Sequence, residues 1–310
     1  LQVLLARESG NFLAPPIIPL ERNFEEFTAA DLDGNGFKDM LASQGGPEVF
    51  VSLADANGLY QEARSIPLEG RVFSLAAADF TGDGIPDVAV EKADFPPALV
   101  LLKGKGDGTF EEPLPLPPGI ESRIVQLAAA DANGDALPDL IGIEPFDDNV
   151  FVYPGNGDGS FREILNTATG NEPQSFTAGD FNGDGVMDLA TASFRSDGVS
   201  VLPGNGDGTF QVKRDFFAGD RLTSIDSGDV NGDGAIDLVA ASDNTVELAT
   251  LLGKGDGNFT LSHAISLKDQ PSAVALARLN GDASLDLAVS FDRGSELQVF
   301  LNNGEGLFSP

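Results

Sequence analysis

Apolar residues in this 310-residue chain come in short runs of four or five, each cut off by a cluster of Gly, Asp, Asn or Pro. Runs of that length between turn residues are strand signals, and no useful stretch carries the 3.6-residue period of a helix. Four such runs recur in a fixed order. The first is rich in small residues: Glu26-Phe-Thr-Ala-Ala, Ser74-Leu-Ala-Ala-Ala, Gln126-Leu-Ala-Ala-Ala, Ser175-Phe-Thr-Ala-Gly, Ser224-Ile-Asp-Ser-Gly and Ala273-Val-Ala-Leu-Ala. The second opens on an aspartate, as in Asp87-Val-Ala-Val and Asp188-Leu-Ala-Thr. The third is bulkier, as in Val49-Phe-Val-Ser-Leu, Val150-Phe-Val-Tyr and Leu248-Ala-Thr-Leu-Leu. The fourth is expected to begin at a Phe or Tyr that follows a Gly-rich turn.

Two turn motifs punctuate these runs. Between the first and second run lies a nine-residue acidic loop, D-x-[DNT]-G-[DN]-[GA]-x-x-D, spaced by 48 to 52 residues: Asp31–Asp39, Asp79–Asp87, Asp131–Asp139, Asp180–Asp188 and Asp229–Asp237. A sixth copy, Arg278–Asp286, lacks the first carboxylate. Between the third and fourth run lies a turn such as Gly104-Lys-Gly-Asp107-Gly-Thr-Phe110, repeated at Gly155–Phe161, Gly204–Phe210 and Gly253–Phe259, with looser forms ending at Phe12, Tyr60 and Phe308. Its Asp-Gly pair supplies the positive φ of a tight hairpin. That explains Asp107, Asp158, Asp207 and Asp256 as turn residues before metal ligands.

A repeat of about 49 residues cannot bury its own apolar face, so stacked copies share one core. Four short antiparallel strands per repeat predict an all-β protein, a β-propeller of four-stranded blades. The expected limits are a half-blade at 1–20 and repeats at about 21–69, 70–119, 120–170, 171–219, 220–268 and 269–310, within one domain over 1–310. Two closures stay open. A seven-bladed ring, the favoured one, completes the half-blade with strands outside this chain. A six-bladed ring would use Phe12–Leu20 as the outer strand of the last blade.

The acidic loop reads as a cation site. Side-chain oxygens at positions 1, 3, 5 and 9 and the carbonyl at position 7 surround one ion, a hard oxygen set suited to Ca²⁺. The candidate ligands are Asp31, Asp33, Asn35, Phe37 and Asp39; Asp79, Thr81, Asp83, Ile85 and Asp87; Asp131, Asn133, Asp135, Leu137 and Asp139; Asp180, Asn182, Asp184, Val186 and Asp188; and Asp229, Asn231, Asp233, Ala235 and Asp237. No His or Cys stands near them, which argues against zinc and copper. Position 12, where an EF-hand needs a bidentate acid, holds Ala42, Val90, Gly142, Thr191 and Ala240. Thr81 is a weaker ligand than its counterparts. Ala136 stands where other copies have Gly, so a positive φ there costs roughly 1 kcal/mol. Arg278 is expected to occupy or neutralise the sixth cation site, leaving about five Ca²⁺ sites and loop 278–286 metal-free.

Composition removes some functions. A formal net charge of −31 excludes nucleic acid as a partner, since phosphate binding needs a basic surface. No apolar run is long enough for membrane insertion. The chain has no cysteine, so disulfides and thiolate metal sites are absent. Leu1-Gln-Val-Leu-Leu is no signal peptide and has no initiating Met, which reads as a mature or excised piece of something longer. His263 is the sole histidine and G-x-S-x-G is missing, so no catalytic set is evident. Asp147 and Asp148, in the insertion of the third repeat, read as a solvated loop. With no Trp and only Tyr60 and Tyr153, the aromatic faces that sugar sites use are scarce.

Segments such as Phe176-Thr-Ala-Gly-Asp-Phe-Asn-Gly-Asp-Gly-Val-Met-Asp-Leu-Ala and Val199-Ser-Val-Leu-Pro-Gly-Asn-Gly-Asp-Gly-Thr-Phe closely resemble FG-GAP/VCBS repeats, which in more diverged form build the propeller head of integrin α subunits. The resemblance covers nearly all of the chain. It implies a propeller, often seven-bladed, with Ca²⁺ in the loop joining each blade's first two strands. It also implies an extracellular or cell-surface setting, as in adhesins, fungal lectins and accessory domains of bacterial surface proteins. The expected function is a non-enzymatic, Ca²⁺-stabilised module, a monomeric domain of a larger protein, that recognises a protein or glycan. A lectin is the first alternative; a polysaccharide lyase or hydrolase is the second.

Overall fold

The structure is a computed structural model that describes residues 5–6, 12–13, 26–92, 98–120, 122–291 and 297–309. Every regular element among them is a strand. Six antiparallel sheets of four strands each run in strict chain order, as meanders. Sheet one is Glu26–Ala30, Asp39–Ser43, Glu48–Ser52 and Arg64–Pro67; sheet two is Val72–Ala78, Asp87–Lys92, Ala98–Leu102 and Leu114–Pro115. Sheet three is Gln126–Ala130, Asp139–Glu144, Asn149–Tyr153 and Leu165–Ala168; sheet four is Pro173–Gly179, Asp188–Ser193, Gly198–Leu202 and Arg214–Phe217. Sheet five is Leu222–Gly228, Asp237–Ser242, Glu247–Gly253 and Phe259–Ser266; sheet six is Pro271–Ala277, Asp286–Phe291, Leu297–Asn302 and Phe308–Ser309. These are propeller blades, as the repeat predicts.

Leu5–Ala6 and Phe12–Leu13 pair with each other as a separate two-stranded sheet. The fourth place in sheet six is taken by Phe308–Ser309, which pairs with Leu301 and Asn302. It is therefore not filled by the segment starting at Phe12; residues 14–20, the rest of that proposed outer strand, lie outside the described residues.

The fourth strand begins later than the sequence suggests. Tyr60, Phe110, Phe161 and Phe210 form single bridges to Ala54, Gly104, Gly155 and Gly204, which close the hairpin turn. The regular strand resumes at Arg64, Leu114, Leu165 and Arg214. In sheet five the strand runs on unbroken from Phe259, with a bulge at Thr250/Leu251 absorbing the offset, and in sheet six it begins at Phe308 itself.

The described chain divides into two compact units, one holding sheets one, two and most of three, the other holding sheets four, five and six. Within each, the core lies between successive sheets. Leu41, Val49 and Val51 of sheet one share a cluster with Val88, Val90 and Val100 of sheet two. Phe181, Val199 and Val201 of sheet four share another with Leu238, Ala240 and Leu251 of sheet five. The hairpin aromatics belong to this core. Phe161 stacks 5.4 Å from Phe80 and Phe259 lies 5.8 Å from Phe181, in each case reaching back to the acidic loop of the preceding sheet. Burying one such ring stabilises by about 1.5–3 kcal/mol, which explains why position 2 of the loop is apolar.

Small polar side chains stitch neighbouring first strands. Ser224 Oγ accepts from the Val274 N–H at 3.1 Å and Asp226 Oδ2 from the Leu276 N–H at 2.8 Å. The hydroxyls of Thr177 and Ser227 meet at 2.7 Å. The first two contacts satisfy strand-edge N–H groups of Val274 and Leu276.

Candidate functional site

In the five intact loops the position-1 carboxylate organises the turn. Its Oδ2 accepts the position-6 N–H: Gly36 to Asp31, Gly84 to Asp79, Ala136 to Asp131 and Gly185 to Asp180 at 2.8 Å, and Gly234 to Asp229 at 3.0 Å. The position-5 side chain accepts the position-7 N–H, as from Phe37 to Asn35, Ile85 to Asp83, Leu137 to Asp135, Val186 to Asp184 and Ala235 to Asp233. Ala136 adopts φ 65°, the left-handed conformation that Gly takes in the other intact copies. The bond to Asp131 holds it there.

In the first loop, carboxylate oxygens of Asp31, Asp33 and Asp39 lie within 4.8 Å of one another. Ca²⁺–O bonds of 2.3–2.6 Å place opposite ligands no more than about 5 Å apart, so this donor set fits a calcium ion. In the other loops Thr81, Asn133, Asn182 or Asn231 replaces the second carboxylate. Loop three differs again: Arg162 pairs with Asp135 at 2.7 Å and places a cation against its position-5 ligand.

Position 9 has a task of its own. Asp39, Asp87, Asp139, Asp188, Asp237 and Asp286 are fully buried. One oxygen of each accepts an N–H from the start of its own loop: Leu32, Thr81, Ala132, Phe181, Val230 or Leu279. The other accepts from the distant hairpin turn: Ala54, Gly104, Gly155, Gly204, Gly253 or Asn302, at 2.7–2.9 Å. One side chain thus staples both turns of a blade. Burial pushes the carboxyls of Asp39, Asp139, Asp188 and Asp237 up, the N–H bonds oppose this, and the loop carboxylates at positions 1 and 5, or 1 and 3 in the first loop, push further up. A bound cation would relieve that repulsion. The sequence reading treated position 9 only as a ligand; its invariance in the sixth loop was the available signal for the staple.

The position-2 carbonyl serves the next sheet. Leu32 O accepts the N–H of Gly108 at 3.2 Å, Phe80 O that of Gly159 at 2.8 Å, and Phe181 O that of Gly257 at 2.9 Å. At sheet six the Asn302 amide replaces the glycine and reaches Val230 O at 2.7 Å. Loops one, two, four and five therefore each seat the hairpin turn of the following sheet.

The sixth loop departs in the way its missing carboxylate dictates. Ala283, at position 6, is not in the left-handed region, because no Asp stands at position 1 to hold its N–H. Arg278 does not neutralise the loop by direct pairing, contrary to the sequence expectation. Both oxygens of Asp286 are committed to backbone N–H groups, and Asp282 accepts from Asn280 and Ser284. Arg278 lines a pocket beside Asp229 of loop five instead.

The hairpin aspartates are turn residues. Asp107, Asp158 and Asp207 each accept both the N–H and the hydroxyl of the residue two positions on. Those bonds hold their carboxyls below the usual range. Asp148 caps the N–H of Glu172 at 2.7 Å, whereas Asp147 is exposed. Tyr153 is fully buried and donates to Pro117 O; Tyr60 donates to Lys38 O. The His263 ring lies 3.4 Å from Ser262 Oγ, and burial lowers its pKa.

A family model described as an FG-GAP-like repeat matches residues 31–90, 133–191 and 229–289. No curated protein matches the chain. Among solved structures, the chain is similar to one in the crystal structure of BBS1N in complex with ARL6DN, soaked with lead, at 11% identity and a TM-score of 0.64, covering 96% of this chain and 87% of that one. It is also similar to a functionally unknown protein from Desulfotomaculum acetoxidans, at 11% identity and a TM-score of 0.62, covering 92% and 84%. Identity that low speaks for the fold alone. The three matched segments span more than half of the chain and each contains an acidic loop or most of one, so the chain belongs to the FG-GAP-like repeat family.

Proposed function

We propose that this propeller is a non-catalytic recognition module whose acidic loops bind calcium as structural ions. A recognition or adhesion role is what FG-GAP repeats suggest in general. The calcium reading rests on one observation above the rest: carboxylate oxygens of Asp31, Asp33 and Asp39 converge within 4.8 Å. Four further loops repeat the backbone turn that makes this convergence. Because loops one, two, four and five also seat the next hairpin, an ion in any of them would stiffen a junction between blades as well as a turn. Loop three, with Arg162 on Asp135, is the weakest of the five sites, and loop six stays metal-free.

An extracellular location suits these sites, since free calcium outside cells is millimolar and exposed Asp/Asn loops of this kind bind weakly. The non-catalytic reading is supported by the commitments of the polar groups: position-9 carboxylates are held by backbone N–H groups of both turns, and among the described residues no acid pairs with His263. The partner is a protein or glycan met outside the loops.

Calorimetric titration with calcium and thermal melting with calcium or chelator test the reading. The expected result is about five ions per chain and a melting temperature that rises with calcium. A melting temperature indifferent to both would reject structural calcium. Turnover of any acidic polysaccharide would reject the non-catalytic role.

A further inference from the structure

We propose that the sixth loop has exchanged its cation for an anion, and that the pocket beside it takes the carboxylate of an acidic side chain on a peptide partner. The inference rests on the calcium reading of loop five. In the intact loops the position-1 Asp absorbs the N–H groups of the turn: Gly183 and Gly185 donate to Asp180, and Gly232 and Gly234 to Asp229. Arg278 removes that acceptor. The N–H groups of Gly281 and Ala283, which correspond to them, have no acceptor among the described residues. Arg278 itself makes no hydrogen bond or ion pair among the described residues, while Asp282 and Asp286 accept from other groups. A guanidinium fork and turn amides stripped of their acceptor are what a carboxylate requires.

The space is present. A pocket of about 550 Å³ is lined by Arg278, Ala283, Ser284 and Leu285 on one side and by Asp229 and Val230 on the other. That volume suits one side chain or a small ligand. Its walls favour an aliphatic carboxylate over a sugar acid: Val230, Ala283 and Leu285 are apolar, Ser284 is the one hydroxyl, and no aromatic ring lines it. Asp229 is the opposing charge. With calcium in loop five its charge is offset and the pocket is net positive; without calcium it repels the ligand. Carboxylate binding at Arg278 is therefore calcium-dependent although loop six holds no ion.

The probe is N-acetyl-glutamate methylamide, titrated into the full chain at saturating calcium while the Arg278 side chain and the Gly281 and Ala283 amides are followed by NMR. The expected result is a saturable shift of these signals, absent with the glutamine counterpart and lost in chelator. Arg278→Ala weakens binding by about tenfold or more, and Arg278→Lys by less, since lysine offers a point charge without the fork. Both variants keep the calcium stoichiometry of the parent. No shift with calcium bound, equal binding of the glutamine probe, or binding that survives Arg278→Ala overturns the proposal. Tighter binding of methyl galacturonide overturns its peptide class. Failure of calcium to bind at all rejects the reading of the previous section, a result read separately from the glutamate titration.

Discussion

The N–H of Gly204 meets Oδ1 of Asp188 at 2.7 Å across sixteen residues of chain, inside a fully buried site. The other oxygen of Asp188 holds the Phe181 N–H at 3.0 Å. Asp188→Asn would set an amide NH₂ against one of these donors. The expected loss is about 2–3 kcal/mol, as for a buried N–H left unpaired beside a lost charged acceptor. It appears already in chelator, and calcium adds to it, since Asp188 is also a candidate ligand. Asp184→Asn, at an exposed position, should destabilise only when calcium is present. Urea melts of both variants in both conditions separate staple from ligand.

Ala136 and Ala283 occupy the same place in their loops with opposite backbone signs. Ala136→Gly should stabilise by up to about 1 kcal/mol, because φ 65° strains a Cβ and not a glycine. Ala283→Gly should instead destabilise by roughly 0.5–1 kcal/mol, since it only loosens the unfolded chain. Thermal melts of the two variants against the parent give the signs.

Gly82 and Gly84 both have positive φ, +70° and +84°, yet only Gly82 faces a neighbour. A Cβ on Gly82 would stand 2.8 Å from Gly157 O in the hairpin turn of sheet three, whereas one on Gly84 meets nothing within 4 Å. Gly82→Ala should therefore cost more than Gly84→Ala. The difference reports the junction between loop two and the next hairpin. Hydrogen exchange should place the added loss at the Gly159 N–H, which bonds to Phe80 O.

Glu91 is fully buried, with Oε1 accepting the Ile124 N–H and Oε2 without a partner. Burial pushes its carboxyl up to about 7 from 4.5, with Glu144 adding to the rise and the Ile124 bond and Arg123 opposing it. The folded chain thus holds a proton that the unfolded chain releases between about pH 4.5 and 7. Glu91 contributes its full stability below pH 4.5 and loses it as pH rises through 7, a difference on the order of 3 kcal/mol. Glu91→Gln should flatten this part of the pH–stability curve and raise stability at pH 8. Denaturant melts in chelator from pH 5 to 8 make the comparison.

The strand order, the sheet count and the loop positions were legible because each rests on local chemistry repeated six times. Asp-Gly announces a hairpin whatever surrounds it, and Ala136 announced its strain by standing where Gly recurs. The later start of the fourth strand was not legible. Phe110 and its counterparts look like strand residues, but they spend their ladder position on one bridge and turn their rings into the loop of the preceding sheet. The staple was hidden for a related reason: Asp188 carries the same carboxylate as its neighbours in the loop, and only burial tells its role apart. Arg278 could be read as a lost ligand, but not where its side chain would go, since that depends on which acceptors the fold had already claimed.

Because each position-9 carboxylate accepts backbone N–H groups from both turns, a blade keeps those turns joined with or without an ion. Positions 1, 3 and 5 shape their own turn but are not needed to join it to the hairpin. Sheet six illustrates the freedom: its staple through Asp286 is intact while its first ligand has become an arginine. A repeat built this way can change the sign of its loop in a single substitution and still stack on its neighbour. The array is a row of interchangeable sockets whose occupants can add stability, mounted on a frame joined by other bonds.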